Sequence, residues 1–171
     1  MEQSGTAIHD AAIRARLEAA GPAAAFLVCR SGRSYCALPR AHVTETMRPL
    51  PVEILTDMPE FLLGLATIRG DIVPVIHLGK LFGPGAANTP GRYVTLTIDG
   101  HSVAAAVDEV LGLYDLASAT QAGCPPLLQE VGHGALTTIA TLDNALLLVL
   151  QGARLLPDAV WDSINTLRSP S

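Results

Sequence analysis

The sequence predicts an all-β fold, a barrel or sandwich with helices only at its edges. Three patterns predict it. RYVTLTI-DG-HSVAAAV (92–107) places two strand-like runs on either side of an Asp-Gly turn. GLATI-RGD-IVPVIHL (64–78) holds Arg69, Gly70 and Asp71 between two apolar strands. Helical spacing is confined to residues 7–20 and 157–168, near the two ends of the chain.

Residues 7–20 carry Ile8, Ala12, Ala15 and Ala19 at helical spacing and end at Gly21-Pro22, so residues 1–22 read as an arm with a short helix. AAFLVCR-SG-RSYCALP is a hairpin expected to turn at Ser31-Gly32. That turn would set Cys29 and Cys36 diagonally, about 7 Å apart at Cα, too strained for a comfortable disulfide, so both are expected as buried free thiols. The Arg69-Gly70-Asp71 hairpin follows, and Leu78 to Phe82 is expected to form one helical turn. Residues 84–91 (PGAANTPG) read as an exposed loop.

In the Asp99-Gly100 hairpin a type I′ turn pairs Leu96 with Val103 and Val94 with Ala105. Val94, Leu96 and Ile98 then share a face with Val103, Ala105 and Val107, and a one-residue slip would turn that face to water. Residues 118–134 read as an irregular connection. LTTIATL-DN-ALLLVL turns at Asp143-Asn144, and its return strand is apolar on both faces, as a strand buried on both sides would be. Residues 157–168 read as a helix with Val160, Trp161, Ile164 and Leu167 as its buried stripe.

With 171 residues, 49% apolar and 16% charged, the chain can bury one sizeable core. A net charge of −5 and three Phe, three Tyr and one Trp argue against nucleic acid, which needs a basic footprint and stacking platforms. No apolar run is long enough for a membrane span, and the acidic N-terminus is unlike a signal peptide. Three cysteines without framework spacing suit a reducing cytosol.

Catalytic chemistry is missing from the pattern. His9, His42, His77, His101 and His133 are dispersed, with no HxxxH and no CxxC, so no metal is expected. His77 and His101 read as hydrogen-bonded core or rim histidines. No nucleophile elbow, phosphate loop or dinucleotide motif occurs, and no cofactor is expected. Asp108 and Glu109, adjacent on a strand, are expected to point to opposite faces. Interaction chemistry is left. Arg69 offers a planar fork for a carboxylate and Asp71 an acceptor two residues on. Arg69 has a second, compatible role: an internal pair with Glu45 or Asp108 that fixes the turn.

At these residues the chain resembles the CheW-like family, the coupling proteins of bacterial chemosensory arrays. Gly64-Leu65, Arg69-Gly70, Ile72, Pro74-Val75-Ile76 and Leu78 match the family's central motif, as does Leu81-Phe82-Gly83. Phe26 to Leu38 is similar to its opening hairpin, and Val43, Glu45 and Leu50-Pro51 to its V-x-E segment. Val107-Asp108-Glu109-Val110 and Ile139 to Leu150 are similar to its later strands. Thr67 replaces the motif Asn, His77 the motif Asp, and Thr46 the usual hydrophobic residue, which marks a divergent member.

The resemblance covers about residues 24–156. It implies two intertwined five-stranded SH3-like barrels over 23–156, followed by a helix and tail over 157–171. It implies a non-enzymatic cytoplasmic adaptor whose partners are the regulatory domain of a CheA-type histidine kinase and the cytoplasmic tip of a chemoreceptor. The motif residues Glu45, Arg69, Gly70 and Asp71 are the candidate partner contacts, with Ile54, Leu55, Phe61 and Leu62 as apolar contributors that could equally pack in the core. The alternative is a repurposed domain of the same fold that binds a partner outside chemotaxis.

Overall fold

A computed structural model of the chain describes residues 26–32, 34–81, 89–98, 100–114, 120–123, 136–142, 145–150 and 158–168. The expected arm over 1–22, Phe82 and most of the 84–91 loop lie outside them. Eleven strands are described. They are β1 (Phe26–Ser31), β2 (Ser34–Pro39), β3 (Val43–Met47), β4 (Leu62–Ile68), β5 (Asp71–His77), β6 (Arg92–Ile98), β7 (His101–Val107), β8 (Glu109–Tyr114), β9 (Thr120–Gly123), β10 (Leu136–Leu142) and β11 (Ala145–Leu150). A single helical turn, α1 (Leu78–Leu81), follows β5, and α2 (Asp158–Arg168) ends the described chain.

The strands make a six-stranded sheet, order β8-β1-β2-β11-β10-β9, and a five-stranded sheet, order β3-β6-β7-β5-β4. The chain enters the first sheet with β1 and β2, builds the second with β3 to β7, and returns to the first with β8. The two lobes are therefore interleaved, and the all-β expectation holds. The Asp-Gly hairpin has the expected register, Leu96 opposite Val103 and Val94 opposite Ala105. Asp143-Asn144 likewise separates the paired Leu142 and Ala145. The return strand β11 is hydrogen-bonded on both edges, to β10 and in parallel to β2.

Both faces of the five-stranded sheet are covered. One face contributes Ile76, Val94, Leu96, Val103, Ala105 and Val107 to the main core, where they meet Leu27, Cys29, Cys36 and Leu38 of the first sheet and Val160 and Ile164 of α2. Ala66, Ile68, Val73, Val75, Tyr93, Ala104 and Ala106 form a second cluster. Each fully buried Leu, Ile or Val contributes about 1.5–3 kcal/mol. Trp161 of α2 also packs its ring on His101, centroids 5.0 Å apart, which fits the rim position expected for that histidine.

Two expectations are corrected. The first hairpin does not turn at Ser31-Gly32: Ser31 is still in the ladder, paired with Ser34. Ser31 is buried in the strand and Gly32 takes the left-handed φ of 61° that the tight turn demands. Cys29 consequently lies directly opposite Cys36. Part of the 118–134 connection is the strand β9, paired with β10. TQAG has no apolar alternation, so only the backbone ladder reveals it.

His77 stands where the motif has an acid, and it keeps one task of an acid. It is 1% exposed, donates its backbone N–H to Phe61 O at 2.7 Å, and its Nδ1 accepts the Lys80 N–H at 3.2 Å. That caps α1. We expect His77→Ala to cost at least about 1 kcal/mol in urea unfolding, and His77→Asn, which keeps an acceptor, to cost less. Equal losses would remove the capping role.

Gly64 takes a φ of 148°, and a Cβ there would collide with the Glu53 carbonyl. The crowding arises because Glu53 and Leu65 exchange two backbone hydrogen bonds of 2.7 and 2.9 Å, which lay segment 48–55 over β4. Gly64→Ala should therefore destabilise the chain by more than about 2 kcal/mol in equilibrium urea unfolding. A loss below about 0.5 kcal/mol, the size of an ordinary surface substitution, would contradict this packing.

Candidate functional site

Ile68 pairs with Asp71, which leaves Arg69 and Gly70 as a two-residue loop between β4 and β5. Their φ angles are 53° and 87°, both left-handed, as a type I′ turn requires. Asn-Gly is the cheap sequence for such a turn, whereas a long side chain in the left-handed region costs about 1 kcal/mol. Arg69 occupies a position that its backbone disfavours. Beyond the turn, Thr67 pairs with Ile72, and Asp71, Ile72 and Thr67 are exposed.

Glu45 is aimed by a defect in β3. The register with β6 shifts between Val43 and Glu45, a bulge that leaves Thr44 as the extra residue. The Thr95 hydroxyl braces it, accepting the Glu45 N–H at 3.2 Å and donating to Glu45 O at 3.3 Å. The Thr44 and Thr97 hydroxyls also meet at 3.0 Å. The Glu45 carboxylate then takes Arg69 as a fork: Nε to Oε1 at 2.7 Å and Nη2 to Oε2 at 2.7 Å. β3 and β4 are the two outer strands of the five-stranded sheet, so the fork links one edge to the turn at the other. Of the two internal partners considered for Arg69, Glu45 is the one it meets. The hydrogen bonds and charge of Arg69 hold the Glu45 carboxyl below the usual glutamate range, and Glu45 raises Arg69 in turn. The Arg69 side chain is nevertheless 76% exposed.

Segment 48–55 borders the same sheet. The Tyr93 hydroxyl donates to Leu50 O at 3.1 Å and the Glu53–Leu65 bridge holds the other end. Between segment and strand lies an open groove of about 480 Å³, lined by Leu50, Pro51, Val52, Glu53, Leu65 and Thr67. Ile54, just beyond it, is 80% exposed. The other three apolar candidates sit deeper. Phe61 and Leu62 are buried in the main core and Leu55 is half-buried against it. Of the four, Ile54 is the one largely exposed, Leu55 is partly so, and Phe61 and Leu62 are buried.

A second ionic cluster was not legible in the sequence. Asp108 sits at a bend between β7 and β8, where the chain passes from one sheet to the other. Its Oδ2 accepts the Gly32 N–H at 2.7 Å and lies 3.4 Å from Arg30 Nη1, while Glu109 Oε2 is 3.7 Å from Arg30 Nη2. The two acids therefore converge on Arg30 instead of facing apart: the bend breaks the strand alternation on which that expectation rested. Gly91 packs against the Asp108 carbonyl, where a Cβ would not fit. This cluster ties the sheets together. Among the described residues no group of three His, Cys, Asp or Glu side chains could hold a metal ion, and no helix is long and apolar enough to cross a membrane.

Residues 25–160 match the family model of the CheW-like domain. No curated protein matches the chain. Among solved structures, the scaffolding protein TtCheW from Thermoanaerobacter tengcongensis is similar, with a TM-score of 0.61 and 24% identity over 75% of this chain and 88% of that one. At that identity the likeness speaks for the fold.

The fork makes a pH-dependent prediction. A carboxyl whose pKa is depressed on folding stabilises the fold above its unfolded pKa, and that stabilisation disappears as the pH falls through the folded value. In an NMR titration Glu45 should have a midpoint below about 4.3, the ordinary glutamate value, and Arg69→Ala should return it there. An unchanged midpoint in the variant would mean the pair does not persist in solution.

Proposed function

The chain belongs to the CheW-like domain family, and on that premise we propose that it couples chemoreceptors to a CheA-type histidine kinase in a bacterial chemosensory complex. Family membership gives the general role, a non-enzymatic scaffold of chemotaxis signalling. The finer reading assigns it two partners, the regulatory domain of the kinase and the cytoplasmic hairpin tip of a receptor, met in the cytoplasm.

The observation that carries the reading is the Arg69 turn. A guanidinium is kept exposed on a strained turn, held by Glu45 in one orientation, on a sheet whose core does not need it. Strain of this kind persists where the surroundings over-determine it and marks sites of contact. A fork already ordered loses less side-chain entropy when a partner docks. Glu45, Arg69, Gly70 and Asp71 form the polar part of the proposed receptor contact, and Ile54, on the segment that borders the same sheet, supplies apolar surface. Phe61 and Leu62 belong to the main core, and Leu55 packs against it.

A specific observation also favours the second reading, a domain that serves a partner outside chemotaxis. Thr67, which departs from the motif Asn, is exposed and lines the groove, so the substitution changes surface and leaves the core alone. His77, a second departure, preserves the helix cap and carries no such implication.

Mixing the chain with the kinase regulatory domain and a receptor-tip fragment at micromolar concentration should give one complex containing all three in size-exclusion chromatography. Ile54→Glu should weaken association about tenfold, roughly 1.4 kcal/mol, with no change in unfolding midpoint. Association with neither partner would leave the second reading standing in place of the first.

A further inference from the structure

We propose that Cys29 and Cys36 form a reversible disulfide site, a crosslink between β1 and β2 that hydrogen peroxide makes and small thiols undo. The two residues are direct partners in the antiparallel register of the hairpin. Both side chains belong to the main core, so they lie on the same face. Directly opposed residues of antiparallel strands have Cα atoms about 4.5–5.5 Å apart. Disulfides span Cα separations of about 4.4–6.8 Å, so the backbone is already in place for the bond. Both thiols are free and fully buried in this structure.

Burial decides when the reaction runs. It pushes the Cys36 thiol up to about 12, and it raises Cys29 further with a contribution from neighbouring Cys36. Neither is a thiolate while the hairpin is closed, and an un-ionised thiol is a poor nucleophile. The pairing of β1 with β8, however, shifts register between Val28 and Cys29. The extra residue is Leu111 of β8, the outer strand of this sheet, so the ladder beside Cys29 is irregular on its β8 side, and local opening of that edge is the route by which oxidant enters.

On opening, one thiolate attacks a peroxide oxygen, giving a sulfenic acid and hydroxide. The second thiol attacks the sulfenic sulfur, the S–S bond forms, and water leaves. In sum, two thiols and one hydrogen peroxide give one disulfide and two waters, with two electrons passing from sulfur to oxygen. Two equivalents of a small thiol reverse the step. The crosslink locks the hairpin whose Gly32 N–H holds Asp108, and so stiffens the point at which the chain crosses between sheets.

The full chain, treated with peroxide, then denatured in the presence of excess alkylating agent and digested with trypsin, should yield the Cys29 and Cys36 peptides joined. Cys124 should be the single cysteine alkylated, and dithiothreitol should separate the pair. Urea below the unfolding transition should accelerate the joining severalfold, and the oxidised chain should unfold at a higher urea midpoint. Three alkylated cysteines after peroxide, sulfinic acid at Cys29 or Cys36 without a crosslink, or a bond to Cys124 would each overturn the proposal. A joining rate indifferent to urea would overturn the gate.

Discussion

The constraint on which the rest depends is that the five-stranded sheet must bury both of its faces. Its middle strand, β7, shows the consequence: Ala104, Ala105 and Ala106 are fully buried in succession, small because a cluster presses from each side. The face carrying Val94, Leu96, Val103 and Val107 is closed only when β1, β2 and α2 pack on it, so neither sheet finishes its core alone. Register follows from the same demand. A slip in the Asp-Gly hairpin would exchange one packed face for the other, and Val103 and Val107 of β7 would meet space that holds the methyls of Ala104 and Ala106. The interleaved chain path, with Asp108 clamped by Arg30 and Gly32 where it crosses, is the connectivity that this shared core requires.

That scaffold explains how a costly turn survives at the rim. Arg69 sits in a left-handed conformation at the end of a strand whose inward residues, Ala66 and Ile68, are locked in the second cluster. The fork to Glu45 is exposed, and exposed ion pairs are screened by salt and contribute little to stability. On the function proposed above, its value lies in orientation. Two parallel charge-assisted hydrogen bonds fix the guanidinium plane before any partner arrives. The bulge at Thr44, braced by Thr95, belongs to the same arrangement, since an unbroken β3 would send the Glu45 carboxylate elsewhere.

Much of this was legible in the sequence wherever a turn signal and an apolar alternation coincided. Asp-Gly and Asp-Asn each separated two patterned runs, and the Asp-Gly hairpin formed in the register derived for it. At Arg69-Gly70-Asp71 the loop is one residue shorter than read, because Asp71 pairs with Ile68 and begins β5. The pattern failed where one signal was weak. Ser31-Gly32 is a good turn signal, but Ser31 is buried and paired with Ser34, which the sequence alone does not show. Thr120–Gly123 has no apolar face to betray a strand. Asp108 and Glu109 belong to a bend, and Arg30 lies 78 positions before the first of them, a pairing that no local rule reaches. At the site, Glu45 and Arg69 could be matched by charge, but Ile54 could not be separated from Phe61 and Leu62. All three are apolar, and only the tertiary fold shows which one faces out.

The central claim is that Arg69 is retained for what it presents to a partner and not for what it holds together. Arg69→Asn tests it most directly, because asparagine suits the left-handed turn and removes the fork in one change. Urea unfolding and receptor-tip binding would be measured on the same preparation. The account predicts an unfolding midpoint equal to or above that of the parent chain, together with loss of receptor association. A lowered midpoint with association intact would contradict it and make the fork a fastening of the fold.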